Sequence, residues 1–252
     1  MADRIFNDPR LAAIYDAIDA DRSDLATYTA VVDEFSARSV LDIGCGTGTF
    51  ACLLAMRGVR VIGVDPARAS LDVARRKHGA DRVKWILGDA TRLPPLNVDL
   101  VTMTGNVAQV FLTDDDWAAT LQGARAALAT GGRLAFETRN PDRQAWLEWT
   151  RERTLGRTDV PGVGVVESWV DLTDVRGDLV SFRWTFVFST DGAVLTSDST
   201  LRFRRRTEVS DSLSSAGFEV EGVREAPDRI GRELIFLAKP RPGVISIGDG
   251  AS

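Results

Sequence analysis

Short apolar runs alternate with helical patterns between residues 40 and 139 of the chain. The runs are rich in β-branched residues, which is typical of buried strands. The predicted strands are Val40–Ile43, Val59–Asp65, Arg82–Leu87, Val98–Met103 and Arg133–Thr138. The predicted helices between them are Thr49–Arg57, Ala67–Lys77 and Asp115–Ala129. Because parallel strands need long crossover connections, this alternation predicts a doubly wound α/β fold with helices on both faces of the sheet.

Residues 10–35 carry an amphipathic helical pattern instead. Apolar side chains recur at helical spacing on both sides of a break near Ala20–Asp24, so two helices are predicted. We expect residues 1–36 to form a helical lid over a ligand-binding edge. Tyr15 and Tyr28 lie on the apolar face, where packing in the core is the ordinary role, and the alternative is that they face a ligand.

The chain between residues 144 and 206 follows another pattern. A helix is predicted around Trp146 and Trp149. Alternating apolar and polar residues over 163–206, with a hairpin signal at Thr190–Gly192, predict a three-stranded antiparallel meander. We expect this insertion to lie over the substrate side of the sheet.

Four arginines stand at the end of this insertion: Arg202, Arg204, Arg205 and Arg206. Charged side chains on an edge strand commonly prevent edge-to-edge association, so a solvated edge is predicted. A clamp for an acidic substrate is the alternative.

The last part of the chain returns to alternating helices and strands. The predicted elements are a helix and two strands, Val209–Ala216, Phe218–Val223 and Glu233–Ala238. Residues 207–240 are therefore assigned to one domain together with residues 37–143. Residues 241–252, with their Gly and Pro, are predicted to be a flexible tail.

The composition of the chain argues against several classes of partner. The 252 residues carry a formal net charge of −5, which argues against a general electrostatic attraction to nucleic acid. Cys45 and Cys52 suggest no disulfide framework, and no apolar run resembles a signal or a membrane span. We therefore predict a cytoplasmic protein without nucleic-acid or membrane partners. The single histidine excludes a His–His metal site, and no metal is predicted.

Polar residues and glycines gather at the predicted strand ends. The turn Gly44–Gly48 follows the first strand, and Asp65 ends the second, about 20 residues after the first glycine. Asp89, Asn106 and Arg139 follow the next three strands. Because the carboxyl ends of parallel strands meet at one edge, the pattern predicts a single binding crevice. The simpler alternatives are that the glycines only form a tight turn and that Asp65 only caps the next helix.

The segment Val40–Gly48, with the sequence VLDIGCGTG, resembles the first motif of small-molecule class I S-adenosylmethionine-dependent methyltransferases. Asp65, Gly88–Ala90 and Ala216–Phe218 stand where later landmarks of that family stand. The resemblance covers the two alternating parts of the chain and only loosely the meander. It implies a Rossmann-like sheet of seven strands with the last strand antiparallel. It also implies S-adenosylmethionine as the cofactor and S-adenosylhomocysteine as the product.

By position, the resemblance also implies residue roles. The glycines of the turn would contact the methionine part of the cofactor, Asp65 the ribose hydroxyls, and Asp89 the adenine amino group. The implied cofactor-binding residues are Asp42, Gly44, Cys45, Gly46, Gly48, Asp65, Pro66, Asp89, Ala90, Thr104 and Asn106. The catalytic candidates, named by location alone, are Tyr15, Tyr28, Asn106 and Arg139.

The implied activity is methyl transfer by in-line displacement to an O or N atom of a small metabolite. Such a reaction needs alignment and exclusion of water more than a protein nucleophile. Thr104–Asn106 replaces the Asn-Pro-Pro-Tyr signature of adenine methylation, which disfavours a nucleic-acid substrate. A non-catalytic S-adenosylmethionine-binding protein and an NAD(P)-dependent oxidoreductase remain alternatives, although the latter's fingerprint requires Gly or Ala at Thr49. We expect a monomer or a homodimer.

Overall fold

Residues 2–242, which the computed structural model describes, form eight α-helices and eleven strands. The helices are α1 (Arg4–Asn7), α2 (Pro9–Ile18), α3 (Asp24–Glu34), α4 (Thr49–Met56), α5 (Arg68–Ala74), α6 (Asp114–Ala127), α7 (Arg151–Thr154) and α8 (Arg206–Ser215). The strands are β1 (Ser39–Ile43), β2 (Arg60–Asp65), β3 (Val83–Leu87), β4 (Val98–Met103), β5 (Leu128–Arg139), β6 (Gly156–Val160), β7 (Gly164–Arg176), β8 (Leu179–Phe188), β9 (Val194–Arg202), β10 (Phe218–Glu225) and β11 (Glu233–Pro240). The predicted tail lies outside the described residues from 243 onward.

Seven strands form one sheet in the order β10-β11-β5-β4-β1-β2-β3. Strands β1 to β5 pair in parallel, and β11 runs antiparallel to both β5 and β10. This confirms the predicted doubly wound sheet, although α5 is shorter and β5 longer than predicted. From β1 the chain proceeds to β2, and from β4 to β5, on opposite sides of the sheet centre. The loops after β1 and β4 therefore diverge and leave a crevice between them.

Apolar side chains cover both faces of this sheet. Leu41 and Val101 belong to a cluster on the face of α6 and α8, whereas Val40 and Leu100 belong to a cluster on the face of α3 and α4. Successive strand residues thus enter opposite cores, as the pleat requires. Burial on both faces explains why these strands read as continuous apolar runs in the sequence.

The insertion is a four-stranded antiparallel sheet in the order β6-β7-β8-β9. The three strands predicted over 163–206 are confirmed as β7, β8 and β9, but the prediction missed β6. The additional strand, β6, pairs with β7 across the turn 161–163. The sequence of β6, GRTDV, does not alternate between apolar and polar residues. Its strand conformation therefore depends on backbone hydrogen bonding to β7 and could not be predicted from its side chains.

The predicted helix around Trp146 and Trp149 is also wrong. Short 3₁₀ turns over 141–143 and 145–148 precede α7, and Gln144 between them has a φ of 45°. A left-handed residue interrupts α-helical hydrogen bonding. The apolar pattern of the segment instead reflects packing, since the Trp146 ring lies 4.6 Å from that of Phe203 in an edge-to-face contact.

The arginines at the end of the insertion divide into two kinds. Arg205 and Arg206 are exposed, as predicted, but Arg204 is buried. Its guanidinium donates to the carbonyl oxygens of Phe111 and Thr113, at 2.8 and 3.1 Å. The group therefore fastens the start of α6 to the insertion, and the prediction of a solvated edge fails at this position.

The N-terminal helices occupy two different places. Ile5 and Leu11 of α1 and α2 pack against Phe186 and Phe188 of the insertion. Helix α3 instead packs into the core of the large sheet, where Tyr28 is 1% exposed. Of the two tyrosines considered above, Tyr28 is therefore a core residue.

Candidate functional site

A cavity of about 920 Å³ opens at the carboxyl ends of the parallel strands, within the size range of small-molecule sites. The first half is formed by the turns after β1, β2 and β3. The second half is formed by the N-terminal helices and β9, together with Arg139 at the end of β5 and Arg229 between β10 and β11. The predicted site residues that line the cavity are Tyr15, Gly44, Cys45, Gly46, Asp65, Pro66, Asp89, Ala90, Thr104, Asn106 and Arg139. The predicted residues Tyr28, Asp42 and Gly48 are not part of its wall.

The glycine turn after β1 shapes the floor of the first half. Gly44 and Gly46 have φ of 70° and 53°, in the left-handed region that favours glycine. A Cβ at Gly44 would lie 2.5 Å from Cγ2 of Val107, so this position has no room for a side chain. A Cβ at Gly46 would meet no protein atom within 4 Å, and it would therefore point into space that a ligand can use.

Asp65 closes β2 beside this turn. Its Oδ2 accepts from the Gly46 N–H at 2.8 Å, and its Oδ1 accepts from the Ala67 N–H at 2.7 Å. Burial raises the pKa of this carboxyl, and the two backbone donors oppose that rise. Each carboxylate oxygen still has a free lone pair, so the rigidly held group can accept two further hydrogen bonds from a diol.

Asp89 lies in the turn after β3. Its Oδ1 accepts from the Thr91 N–H at 2.8 Å and from the Thr91 hydroxyl, and the hydroxyl bond lowers the pKa of the Asp89 carboxyl. Helix α6 supports this turn, because Gly123 approaches it so closely that a Cβ there would lie 1.9 Å from the Ala90 carbonyl oxygen. The turn that carries Asp89 is thus held in place by its packing against α6.

Asp42 lies within β1, where it is 1% exposed. Its Oδ1 accepts from the Thr102 hydroxyl at 2.9 Å, while Oδ2 has no partner within residues 2–242. Burial raises the pKa of Asp42 to about 7. The residue stands beneath the glycine turn rather than in the cavity wall.

Two buried carboxylates behind the cavity were not predicted from the sequence. Glu137 of β5 accepts from the Tyr28 hydroxyl and, at 2.9 Å, from the Asn106 N–H. Glu233 of β11 accepts from Asn106 Nδ2 at 3.0 Å and from the Arg229 guanidinium at 2.9 Å. The signal for both was a charged residue at a buried position of an apolar strand, which is rare unless the charge is partnered.

The second half of the cavity is strongly polar. Arg22 makes two hydrogen bonds to Asp24, at 3.1 and 3.2 Å, and Arg139 donates to the Gln109 side chain at 3.2 Å. Asp19 also lines this half, and burial raises the pKa of its carboxyl. Tyr15 lies beside it, with a pKa raised by burial, so its hydroxyl stays protonated at neutral pH. These groups suit a polar ligand.

Two searches of residues 2–242 complete the description. No three His, Cys, Asp or Glu side chains in this range are arranged to hold a metal ion. No helix in the same range is long and apolar enough to cross a membrane.

Comparison with known proteins agrees with this geometry. Residues 40–132 match the model of a methyltransferase domain. The chain is 32% identical over 145 residues to the cypemycin N-terminal methyltransferase of a Streptomyces species, covering 56% of this chain and 59% of that protein. It is 31% identical over 186 residues to the malonyl-[acyl-carrier protein] O-methyltransferase of Serratia marcescens, covering 71% and 66%. The chain thus spans less than two thirds of the length of these relatives.

A solved structure shares the fold. An S-adenosylmethionine-dependent methyltransferase from Clostridium acetobutylicum superimposes with a TM-score of 0.76 at 17% identity, covering 92% of this chain and 98% of that one. The matched domain contains the glycine turn, Asp65 and Asp89, and the sheet has the expected antiparallel strand. The chain belongs to the class I S-adenosylmethionine-dependent methyltransferase family.

Proposed function

We propose that this protein transfers a methyl group from S-adenosylmethionine to an O or N atom of a small metabolite. The observation that carries the proposal is the geometry of Asp65. Its carboxylate is fixed by the backbone of the glycine turn and faces the same cavity as Asp89, at the next strand end. A diol-binding acid, an open glycine floor and a second acid match the ribose, methionine and adenine parts of this cofactor.

Different residues of the first half would bind different parts of the cofactor. Gly44, Cys45 and Gly46 would hold the methionine part against the backbone, and Asp65 would accept hydrogen bonds from both ribose hydroxyls. Asp89 would accept from the adenine amino group, while Pro66 and Ala90 would pack against the adenosine. When bound, the cofactor supplies an electrophilic methyl group on a positively charged sulfur.

Asp42 and Gly48 would act indirectly. Gly48 has no room for a side chain, since a Cβ there would lie 2.5 Å from the Trp85 ring. It is also the N-cap residue of α4, so it connects the turn to that helix. Asp42 stands below the same turn. We therefore assign both to the support of the turn rather than to contact with the ligand.

The second half would bind the acceptor and exclude water. Tyr15 of α2 and Arg139 at the end of β5 line it on opposite elements, and Thr104 and Asn106 lie where the two halves meet. The protein would accelerate transfer by holding the acceptor in line with the methyl group and away from solvent. The N-terminal helices and the insertion would supply that enclosure in a monomer or a homodimer.

The proposal is tested by calorimetric titration with S-adenosylmethionine, S-adenosylhomocysteine and NADH. We expect the first two to bind and NADH not to bind. Asp65→Ala should weaken both affinities at least about tenfold, because a hydrogen bond to a charged group contributes roughly 1.5–3 kcal/mol. Asp72→Ala, which removes an exposed acid of α5, is the matched control and should leave binding unchanged. Binding of NADH alone, or equal binding by both variants, would contradict the assignment.

A further inference from the structure

Arg139 ends β5 and lines the second half of the cavity. Its guanidinium is held from two sides. Nη1 donates to the side-chain oxygen of Gln109 at 3.2 Å, and Cζ lies 5.8 Å from the centre of the Trp149 ring. Gln109 is itself buried, and Trp149 packs edge-to-face on Phe182 of the insertion. The guanidinium therefore has a defined position in the cavity wall.

Most of the donors of this guanidinium have no acceptor. Nε and Nη2 form no hydrogen bond with residues 2–242. In the same range, the one carboxylate within 4 Å is that of Glu233, whose Oε1 lies 3.8 Å from Nε and thus beyond hydrogen-bond distance. This oxygen already accepts from Asn106 Nδ2 at 3.0 Å and from Arg229 at 2.9 Å. The hydrogen bonds of Glu233 are therefore made to other groups.

The free donors of Arg139 are accessible from the cavity. Across the described part of the chain, the buried side-chain polar atoms without a partner belong to Asp42, Asn106 and Arg204. Nε and Nη2 of Arg139 lack a partner but are not among these buried atoms, so they have accessible surface. The side chain as a whole is 27% exposed, and it lines the cavity. A ligand in the second half can thus reach both nitrogens.

The other two arginines of the cavity wall are already paired with acids. Arg22 makes two hydrogen bonds to Asp24, at 3.1 and 3.2 Å. Arg229 donates to Glu233 at 2.9 Å and lies 3.2 Å from Asp228. Carboxylates therefore satisfy the donors of these two groups.

The pKa values show the same difference. Burial lowers the pKa of all three guanidinium groups. For Arg22 and Arg229 the paired acids outweigh burial, and the pKa is raised. For Arg139 burial outweighs the charges of Glu233 and Glu137, and the pKa is lowered. The charge of Arg139 is thus the least compensated of the three.

The acids of the second half leave this charge available. No acid that lines the cavity lies within 4 Å of the Arg139 guanidinium in residues 2–242. Asp198 forms an ion pair with Arg183 at 2.6 Å. Burial raises the pKa of Asp19, and the charge of Arg22 opposes that rise. The cation at the end of β5 therefore still needs an anionic partner.

We propose that the methyl acceptor carries a carboxylate that binds to the Arg139 guanidinium, an inference that rests on the methyltransferase function proposed above. A guanidinium presents paired N–H donors in one plane, and a carboxylate presents two oxygens that match them. The pair would give the free donors of Arg139 their acceptors and would orient the rest of the acceptor in the second half.

This contact would also select acids over their neutral analogues. A carboxamide has the shape of a carboxylate but carries no charge, and it places an NH₂ group where the second oxygen stands. That NH₂ group would face an N–H donor of Arg139. A site built for two acceptor oxygens therefore rejects the amide.

The test uses purified full-length protein saturated with S-adenosylhomocysteine and three pairs of probes: lactate and lactamide, benzoate and benzamide, N-acetylalanine and N-acetylalaninamide. Calorimetry at neutral pH measures binding. We expect at least one carboxylate to bind at least tenfold more tightly than its amide. Equal or tighter binding of the amide in every pair, or no binding of any carboxylate, would overturn the inference. Tighter binding of phenyl phosphate than of benzoate would overturn the choice of a carboxylate.

Arg139→Gln removes the guanidinium and keeps a polar side chain. We expect at least tenfold weaker binding of the carboxylate, while the affinities for its amide and for S-adenosylhomocysteine stay within twofold. Arg139→Lys, which keeps the charge but loses the paired donors, should fall between Arg139→Gln and wild type. Arg232→Gln is the matched control, because this exposed arginine pairs with Glu148 and is not part of the cavity wall.

Unchanged carboxylate binding in Arg139→Gln would contradict the assignment. An equal loss of carboxylate, amide and cofactor binding would show that Arg139 only supports the fold. Melting temperatures identify a variant that does not fold, and the comparison of acid with amide in the wild-type protein is independent of that outcome.

The two proposals fail in different ways. If wild-type protein binds neither S-adenosylmethionine nor S-adenosylhomocysteine, the methyltransferase function itself is wrong. If both bind and the carboxylates do not, only the acceptor assignment is wrong.

Discussion

Asp42 shows how a single buried carboxyl can make the fold sensitive to pH. The group has one hydrogen bond, from Thr102, and one oxygen without a partner in the described chain. Its pKa of about 7 lies far above the value of 3.8 that an exposed aspartate has. Between these two pH values the folded protein holds a proton on Asp42 that the unfolded chain has lost. The contribution of this group to stability therefore falls as the pH rises through that window.

We predict that Asp42→Asn removes this dependence. Relative to wild type, the free energy of unfolding of Asp42→Asn should rise by on the order of 2 kcal/mol between pH 5 and pH 8, since one pKa unit corresponds to about 1.4 kcal/mol. Urea denaturation at both pH values measures the difference. Asp72→Asn on the exposed surface of α5 serves as the control. A constant difference between Asp42→Asn and wild type would show that Asp42 is ionised throughout.

At the scale of single residues, the sequence predicts a site residue best when that residue directly follows a predicted strand. Asp65 and Asp89 could be predicted because each directly follows a strand, and strand ends share one edge. Glu137 and Glu233 could not be predicted as a pair, because they are far apart in sequence and meet only through the antiparallel pairing of β5 with β11.

At the scale of elements, the support of the Asp89 turn by α6 has a consequence for stability. Gly123 lies in the middle of this helix, where Ala would normally be favoured by about 1 kcal/mol. The Ala90 carbonyl oxygen, however, occupies the space that a Cβ would need. Packing and helix propensity thus predict opposite signs for one substitution.

We predict that packing dominates in Gly123→Ala. The variant should be less stable by about 1–3 kcal/mol, as for other overpacked sites, and should bind S-adenosylmethionine more weakly because the turn of Asp89 and Ala90 is displaced. Thermal unfolding and titration measure the two effects. Gly156→Ala is the matched control, because a Cβ there meets nothing within 4 Å. A stabilised Gly123→Ala protein with normal affinity would refute the contact.

Some helices and strands could be predicted from the sequence pattern, and others could not. The central strands are long, apolar and buried on both faces, so their existence could be predicted. Strand β6 is short and polar, and it exists because β7 offers it a hydrogen-bonding edge. The segment around Trp146 has helical spacing, but Gln144 breaks the helix and the aromatic side chains pack on the insertion. Such outcomes depend on tertiary partners that local pattern does not reveal.

At the scale of the whole molecule, the cavity lies between units that are distant in the chain. On one side of α2, Arg10 pairs with Asp191 of the insertion at 2.8 Å and lies over the Phe188 ring. On the other side, Asp16 of α2 pairs at 2.6 Å with Lys77, which follows α5. Helix α2 thus connects the insertion to the large sheet above the glycine turn. The sequence predicted each unit but not this connection, which is what closes the second half of the cavity.

The central claim is that one cavity holds S-adenosylmethionine on the strand ends and an acceptor beside Asn106. A crystal structure of the complex with S-adenosylhomocysteine tests this most directly. We predict both ribose hydroxyls within hydrogen-bond distance of the Asp65 carboxylate, adenine beside Asp89, and the sulfur facing Asn106 and the polar half of the cavity. A ligand bound without contact to Asp65, or with its sulfur turned away from that half, would contradict the account.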